Sequence, residues 1–339
     1  VKPTTLFISI DGPRNDHPED VKNVAAVLDI LQEIDWDCQV HRLIQPNNLG
    51  CRYAPIAAID WFFKNVDYGI ILEDDCLADV SFFDYCSWAL NRYRGDTRVW
   101  HIGGNNFSAS AAQFEDDYAF VPFAQVWGWA TWANRWQYYE MNIFNIKRQF
   151  QLEKSFLNWE VSLLARLNKF KHFCDVSDGL DAWDYSWQAV ILNNNGLCLI
   201  PSKNLVMNIG GGTDATHTCL DKRLYLPTSK LDVQDQDINR VFNKKLTRFF
   251  EANMGLRSIR GGYLAAFVLL KAKLKTFARK LVCRILFKSK QRIVVASTGR
   301  AGSTMMTLSI ANSFWNINNR MFSILPKLAR RFLTGYEDR

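Results

Sequence analysis

Three acids stand in a row at Glu73-Asp74-Asp75, directly after the apolar run Ile70-Ile71-Leu72. Adjacent carboxylates repel one another unless a cation or hydrogen-bond donors offset the charge. Hard oxygen ligands of this kind suit Mn2+ or Mg2+, and such an ion would in turn hold a diphosphate. The competing reading is a solvated acidic loop, since carboxylates are mostly exposed. A second group is the glycine run Gly210-Gly211-Gly212, which leads through Thr213-Asp214-Ala215-Thr216 to His217. Such a loop can fold over a diphosphate with His217 as phosphate donor or metal ligand, or the histidine can be purely structural. Asp184 lies between Trp183 and Trp187. By itself it reads as a first-turn helical carboxylate, favoured there by the helix dipole.

The elements around these groups follow from hydrophobic periodicity. Residues 6–10, 39–43, 68–72 and 99–102 read as strands, and residues 18–34, 54–65 and 81–93 as helices. In the first helix Val21, Val24, Ala25, Leu28 and Leu31 define the face expected to be buried. Strands alternating with helices predict an α/β fold with a mainly parallel sheet covered on both faces. Ligands bind such sheets beyond the carboxyl ends of the strands. Asp11, Asn47-Asn48, Glu73-Asp74-Asp75 and Asn105-Asn106 all fall there. From residue 107 to 220 the alternation loosens and tryptophan becomes dense, at 127, 129, 132, 136, 159, 183 and 187. Helices are expected over 156–170 and 184–193 and a strand over 197–200. Trp132 and Trp136 read as core, and the polar stretch 221–255 is expected to pack around the body.

Composition bounds the class. Of the 339 residues, 48% are hydrophobic and 22% charged, which excludes a disordered, collagen-like or multi-span membrane chain. The net charge of +7 is uneven. Residues 1–255 carry 24 basic against 32 acidic side chains, a net −8, while residues 256–339 carry 17 against 2, a net +15. Eight cysteines with no CxxC pair read as reduced thiols of a cytoplasmic protein. The opening Val1-Lys2-Pro3 carries no secretory pattern, and the absent Met marks an expected fragment. The longest apolar run of the basic region, residues 263–270, is far short of the roughly 20 residues that span a bilayer.

The ordered segments LFISIDGPR, HRLIQPNNLGCR, YGIILEDDC, SFFDYC, IGGNNF, VWGWATW, AWDYSW and NLVMNIGGGTDATHT span residues 5–220. Together they resemble a bacterial family of GT-A fold glycosyltransferases related to eukaryotic N-acetylglucosaminyltransferase I. The resemblance implies a Rossmann-like GT-A domain that transfers a sugar from a nucleoside diphosphate donor, UDP above all, to a saccharide hydroxyl with inversion. It implies Asp75 as the ligand of Mn2+ or Mg2+, with Glu73 and Asp74 facing sugar and ribose. Asp11 would read the nucleobase, and Arg52 would reach the base or the phosphates. Asn106 would line the donor site, and Trp127-Gly128-Trp129 would lie under the transferred sugar. Asp184 matches the general base, with Asp181 as its rival; Trp183 and Trp187 would exclude water and stack on sugar faces. Gly211, Gly212 and His217 would close over the diphosphate. The chain departs from the family at Gly211, where an aromatic residue is expected. It also lacks the strand and helix that open GT-A sheets, so an exposed sheet edge is expected.

The basic region reads separately. Residues 256–291 are expected to be an amphipathic linker helix, its Lys/Arg-rich part at 261–287 suited to peripheral contact with an anionic membrane. Nothing supports nucleic-acid binding. Residues 293–297 read as a strand feeding Gly299-Arg300-Ala301-Gly302-Ser303-Thr304 and a helix. This is a phosphate-cradle pattern without the lysine of a Walker loop. It resembles the 5′-phosphosulfate loop of sulfotransferases that use adenosine 3′-phosphate 5′-phosphosulfate. With 47 residues after Arg292, such a domain over 292–339 would be truncated. Two alternatives to the glycosyltransferase therefore stay open: part of a bifunctional glycosyltransferase–sulfotransferase, and a non-catalytic sugar-binding module.

Overall fold

A computed structural model describes residues 1–108, 114–141, 182–211, 225–235 and 238–253. All of them lie in the first of two units into which the chain divides, Val1–Lys271 and Ala272–Arg339. The expected boundaries at 255 and 291, the helix over 156–170 and the basic linker lie outside the described residues.

Chain order begins with β1 (Thr5–Ile10), α1 (Pro18–Ile30), β2 (Gln39–Ile44) and α2 (Gly50–Phe63). β1 and β2 form a parallel two-stranded sheet of their own, joined through α1. Pro18 opens α1 with the fixed φ that suits a first helical turn, and Glu19 and Asp20 complement the dipole there. No residue of α1 is buried. Val21 is 61% exposed and Ile30 59%, so the buried face expected for this helix is not formed.

The following elements are β3 (Tyr68–Ile71), β4 (Cys76–Ala78), α3 (Val80–Arg92), β5 (Val99–Gly103), β6 (Tyr118–Val121) and β7 (Trp129–Trp132). After them come α4 (Ala133–Trp136), α5 (Asp184–Asn193), β8 (Leu197–Pro201), β9 (Val206–Asn208) and α6 (Lys244–Asn253). A five-stranded sheet in the order β3-β7-β5-β8-β6 forms the centre, and β4 pairs with β9 beside it. The fold is mixed α/β, with helices on a sheet core. The sheet is not mainly parallel as expected: only β5 and β8 pair in parallel, whereas β7 runs against β3 and β5, and β6 against β8. The helical crossover from β3 through α3 does return β5 in the same direction. The tryptophan-rich segment then adds two reversed strands, and β7 inserts between β3 and β5.

This topology defines one edge. β3, β5 and β8 run the same way, so their carboxyl ends lie together. β7 begins at that edge, where Trp129 pairs with both Ile71 and Gly103.

Each face of the sheet has its own core. On one side Phe82, Tyr85, Cys86, Ala89 and Leu90 of α3 pack on Ile102, Phe120, Ala130 and Leu199. On the other, Trp187, Val190 and Ile191 of α5 meet Trp129, Trp136, Cys198 and Ile200. Leu246 and Phe250 of α6 complete that side, so part of the 221–255 stretch packs on the body as expected. Trp132 and Trp136 are core, also as expected. Among the described residues Cys38, Cys76, Cys86 and Cys198 are free thiols. No helix among the described residues is long and apolar enough to cross a membrane.

Candidate functional site

The acid triplet leaves β3 at the shared edge, and α5 brings Asp184 to it. Glu73 is half-buried, and its carboxyl is pushed up to about 7, chiefly by that burial and then by the nearby charges of Asp75, Asp184 and Asp74. The Trp183 indole N–H donates to Glu73 Oε1 at 3.2 Å and partly offsets the shift. Two segments 110 residues apart in sequence thus meet around one carboxyl group. Asp184 occupies the first turn of α5, where the dipole favours its charge.

Asp75 is held from both sides. The Ile209 N–H donates to its carbonyl at 2.8 Å, and the Cys76 thiol donates to Oδ1 at 3.4 Å. Gly210 packs directly on the Asp75 carboxylate, so any Cβ at that position would collide with it. The start of the glycine loop is therefore seated on the Asp75 carboxylate. Tyr225 fixes it by donating to Gly211 O at 2.5 Å. Gly212 and His217 lie outside the described residues.

The donor chemistry here fits a hard divalent ion. The like charges that push Glu73 up are relieved by a cation. Among the described residues no three His, Cys, Asp or Glu side chains converge into a protein cage. Mg2+-type ions ordinarily take one or two carboxylates and complete their shell with water and substrate phosphate.

The loop 122–128 runs beneath this edge and is clamped by α5. Gln188 accepts from Ala124 N at 2.8 Å and donates to Pro122 O at 3.0 Å. His101, fully buried, donates from Nε2 to Gln125 O at 2.9 Å and accepts from Trp187 Nε1 at 3.3 Å. Burial lowers its pKa to about 4, so it stays neutral. Gly128 has φ +69°, and a Cβ there would lie 2.7 Å from Val206. Protein packing by itself thus requires the glycine.

Several expected donor contacts are corrected. Trp129 is fully buried, stacked between His101 and Trp183, and is core. Trp187 is likewise core and cannot stack on a sugar. Trp127 alone of the pair is partly open, edge-on to Phe107 at 5.2 Å. Asn106 is fully buried and spent on the scaffold: its amide donates to Pro201 O and Ser202 O, and its Oδ1 accepts from the Ser108 amide and hydroxyl.

Asp11 ties β1 to the start of α2. Its two oxygens accept from Gly12 N, Leu49 N, Gly50 N and Asn48 Nδ2, all within 3.0 Å. Those four bonds fill its acceptor capacity, so a nucleobase would have to displace one. They also cap α2 from another strand, which is why the helix starts at Gly50 instead of at residue 54, before Pro55. Arg52 donates to Met141 O at 3.4 Å and faces the Tyr139 end of the site.

Tyr139 was not foreseen. Its hydroxyl donates to Trp183 O at 3.0 Å, its ring stacks on Trp136 at 4.4 Å, and burial raises its pKa, with the nearby charge of Asp184 adding to the shift. It pins the start of α5. Nothing in the local sequence distinguishes it from Tyr138, which is exposed. Asp181 and the phosphosulfate-like loop, Gly299, Arg300, Gly302, Ser303 and Thr304, lie outside the described residues. No protein-family model and no curated protein matches the chain.

Proposed function

We propose that this chain is a metal-dependent GT-A glycosyltransferase that moves a sugar from a nucleoside diphosphate, UDP above all, to a saccharide hydroxyl. The observation that carries the reading is the meeting of Glu73, Asp74 and Asp75 with Asp184 at one sheet edge. Asp75, with the glycine loop seated on it, would hold Mn2+ or Mg2+. When bound, that ion supplies charge neutralisation for the departing diphosphate.

Asp184 takes the proton of the acceptor hydroxyl as that oxygen attacks the anomeric carbon. The bond from that carbon to the phosphate oxygen breaks, and its electrons leave with the diphosphate. Inversion rests on the family resemblance. Glu73, held by the Trp183 indole beside Asp75, would accept from a sugar hydroxyl. A cytoplasmic location with membrane contact through 261–287 belongs to the same proposal.

Calorimetry of UDP with and without Mn2+ tests the reading. Mn2+-dependent binding is expected, and Asp75→Ala should abolish it; unchanged binding in that variant removes the metal role. Asp184→Asn should keep donor binding and slow transfer on the order of 10²- to 10⁴-fold. Transfer that survives moves the base to another acid, Asp181 first.

A further inference from the structure

Six side-chain polar atoms are buried without a hydrogen-bond partner among the described residues, and four of them belong to three residues, Gln125, Asn105 and Trp129. They are Nε2 and Oε1 of Gln125, Oδ1 of Asn105 and Nε1 of Trp129. A Cβ placed on Gly103 would touch Gln125 Cβ at 3.5 Å, so the glycine lets the Gln125 residue lie down on the strand end. Trp129 sits opposite Gly103 in the β5–β7 ladder, and Asn105 follows two residues later. Gln125 is 5% exposed and Asn105 1%. Buried polar side chains are nearly always paired, and leaving both ends of a carboxamide bare opposes folding. The Gln125 backbone is not free to drift, because its carbonyl is fixed by His101 and its neighbour Ala124 by Gln188.

We propose that Gln125 is a sugar-recognition residue, its carboxamide reading a pair of carbohydrate hydroxyls. This rests on the glycosyltransferase reading and names the group that would select the sugar. The place fits: Gly103 ends β5 at the shared edge, and its ladder partner Trp129 stacks on Trp183, which donates to Glu73. A carboxamide offers one donor end and one acceptor end in one plane, which matches two adjacent hydroxyls. A site built to hydrogen-bond a hydroxyl discriminates strongly because its own polar atoms are otherwise stranded. The bare atoms are then the unliganded half of that recognition, a local cost kept for function.

The test uses the full chain with Mn2+ and calorimetry of UDP, UDP-glucose, UDP-galactose and UDP-N-acetylglucosamine. At least one sugar nucleotide is expected to bind more tightly than UDP. Gln125→Met should erase that advantage, a loss of about tenfold or more, while UDP itself binds as before. The same variant should raise Tm by about 2–4 °C, since an apolar near-isostere removes two unpaired atoms. A sugar advantage untouched by Gln125→Met overturns the proposal. A fall in Tm with sugar binding unchanged would instead assign the carboxamide to a structural water. If the wild-type chain binds neither UDP nor any UDP-sugar, the glycosyltransferase reading falls and this inference falls with it. UDP binding with no sugar advantage overturns this inference alone.

Discussion

The first 80 residues and the rest of the described fold are built on different principles. Up to Val80 only Gly12 and Ile59 are buried, although β1, α1, β2, α2 and β3 all form. Beyond it, β5, β6, β7 and β8 are buried along their whole length, and seven of the ten residues of α5 are buried. The first region is held by a polar hub at Asp11 and a half-buried aromatic group, Phe7 against His41, Trp61 and Phe62. The second is held by a double-sided apolar core. Cooperative stability tracks apolar area removed from water, so the two regions should open with different free energies. The candidate acids sit where they meet.

Trp187→Ala tests the core side and should have the largest effect. It removes the centre of the tryptophan group and leaves His101 Nδ1 unpaired, at a cost of about 3–5 kcal/mol read from urea unfolding. A loss below about 1 kcal/mol would mean that the second region is not the cooperative unit.

Glu73→Gln probes the junction through pH. The folded-state pKa of Glu73 is raised from 4.5 to about 7, so the native state holds its proton longer than the unfolded chain. Stability from this group is present below pH 4.5 and is lost as pH rises to about 7, by about 3 kcal/mol. His101 works the other way: its pKa falls from 6.5 to about 4, so stability is lost as pH falls through that window. The opposing slopes overlap from pH 4.5 to 6.5, and the metal-free protein should show a nearly flat profile there. Glu73→Gln should unmask a profile that rises with pH, measured by unfolding at half-unit steps. An unaltered profile would place Glu73 in solvent and dissolve the junction.

Asp11→Ala should act on the first region only. Removing the acceptor of three backbone N–H groups should raise hydrogen exchange over residues 45–63 by an amount equivalent to about 1–3 kcal/mol. Exchange in β5 and β8 should stay unchanged; a matching rise there would merge the two regions into one. The smallest effect is expected from Val21→Lys, within about 0.5 kcal/mol by Tm, because this position is already in water. A large loss would reveal an apolar contact on α1.

Much of this was legible residue by residue. The strand-to-acid boundary at Ile71–Glu73 was readable because an apolar run stops abruptly at three charges. α5 was foreseen with its observed ends, since Asp184 starts it and Asn-rich sequence closes it. β6 and β7 were missed: Tyr118-Ala119-Phe120-Val121 and Trp129-Ala130-Thr131-Trp132 are buried on both faces, so they lack the alternation that marks a strand. The same limit misassigned individual side chains. Asn106 and Asn105 look alike in sequence, yet Asn106 Oδ1 accepts from the Ser108 amide and hydroxyl, whereas Asn105 donates to Val206 O and keeps a bare oxygen. Trp127 and Trp129 differ only by two positions, and the ladder to Gly103 decides which becomes core.

The sequence by itself determined the element types and the chemistry at their ends: carboxylates after β3, a carboxylate opening α5, glycines where the chain must approach Asp75 and Val206. These are local properties, set by periodicity, charge and backbone freedom. Tertiary structure alone decided that β7 would slide between β3 and β5, that Glu73 would share its space with Asp184, and that Gln125 would be buried unpaired. Those outcomes depend on pairing between segments far apart in the chain, whose energies come from the surfaces they cover on one another and are written in no single stretch of residues.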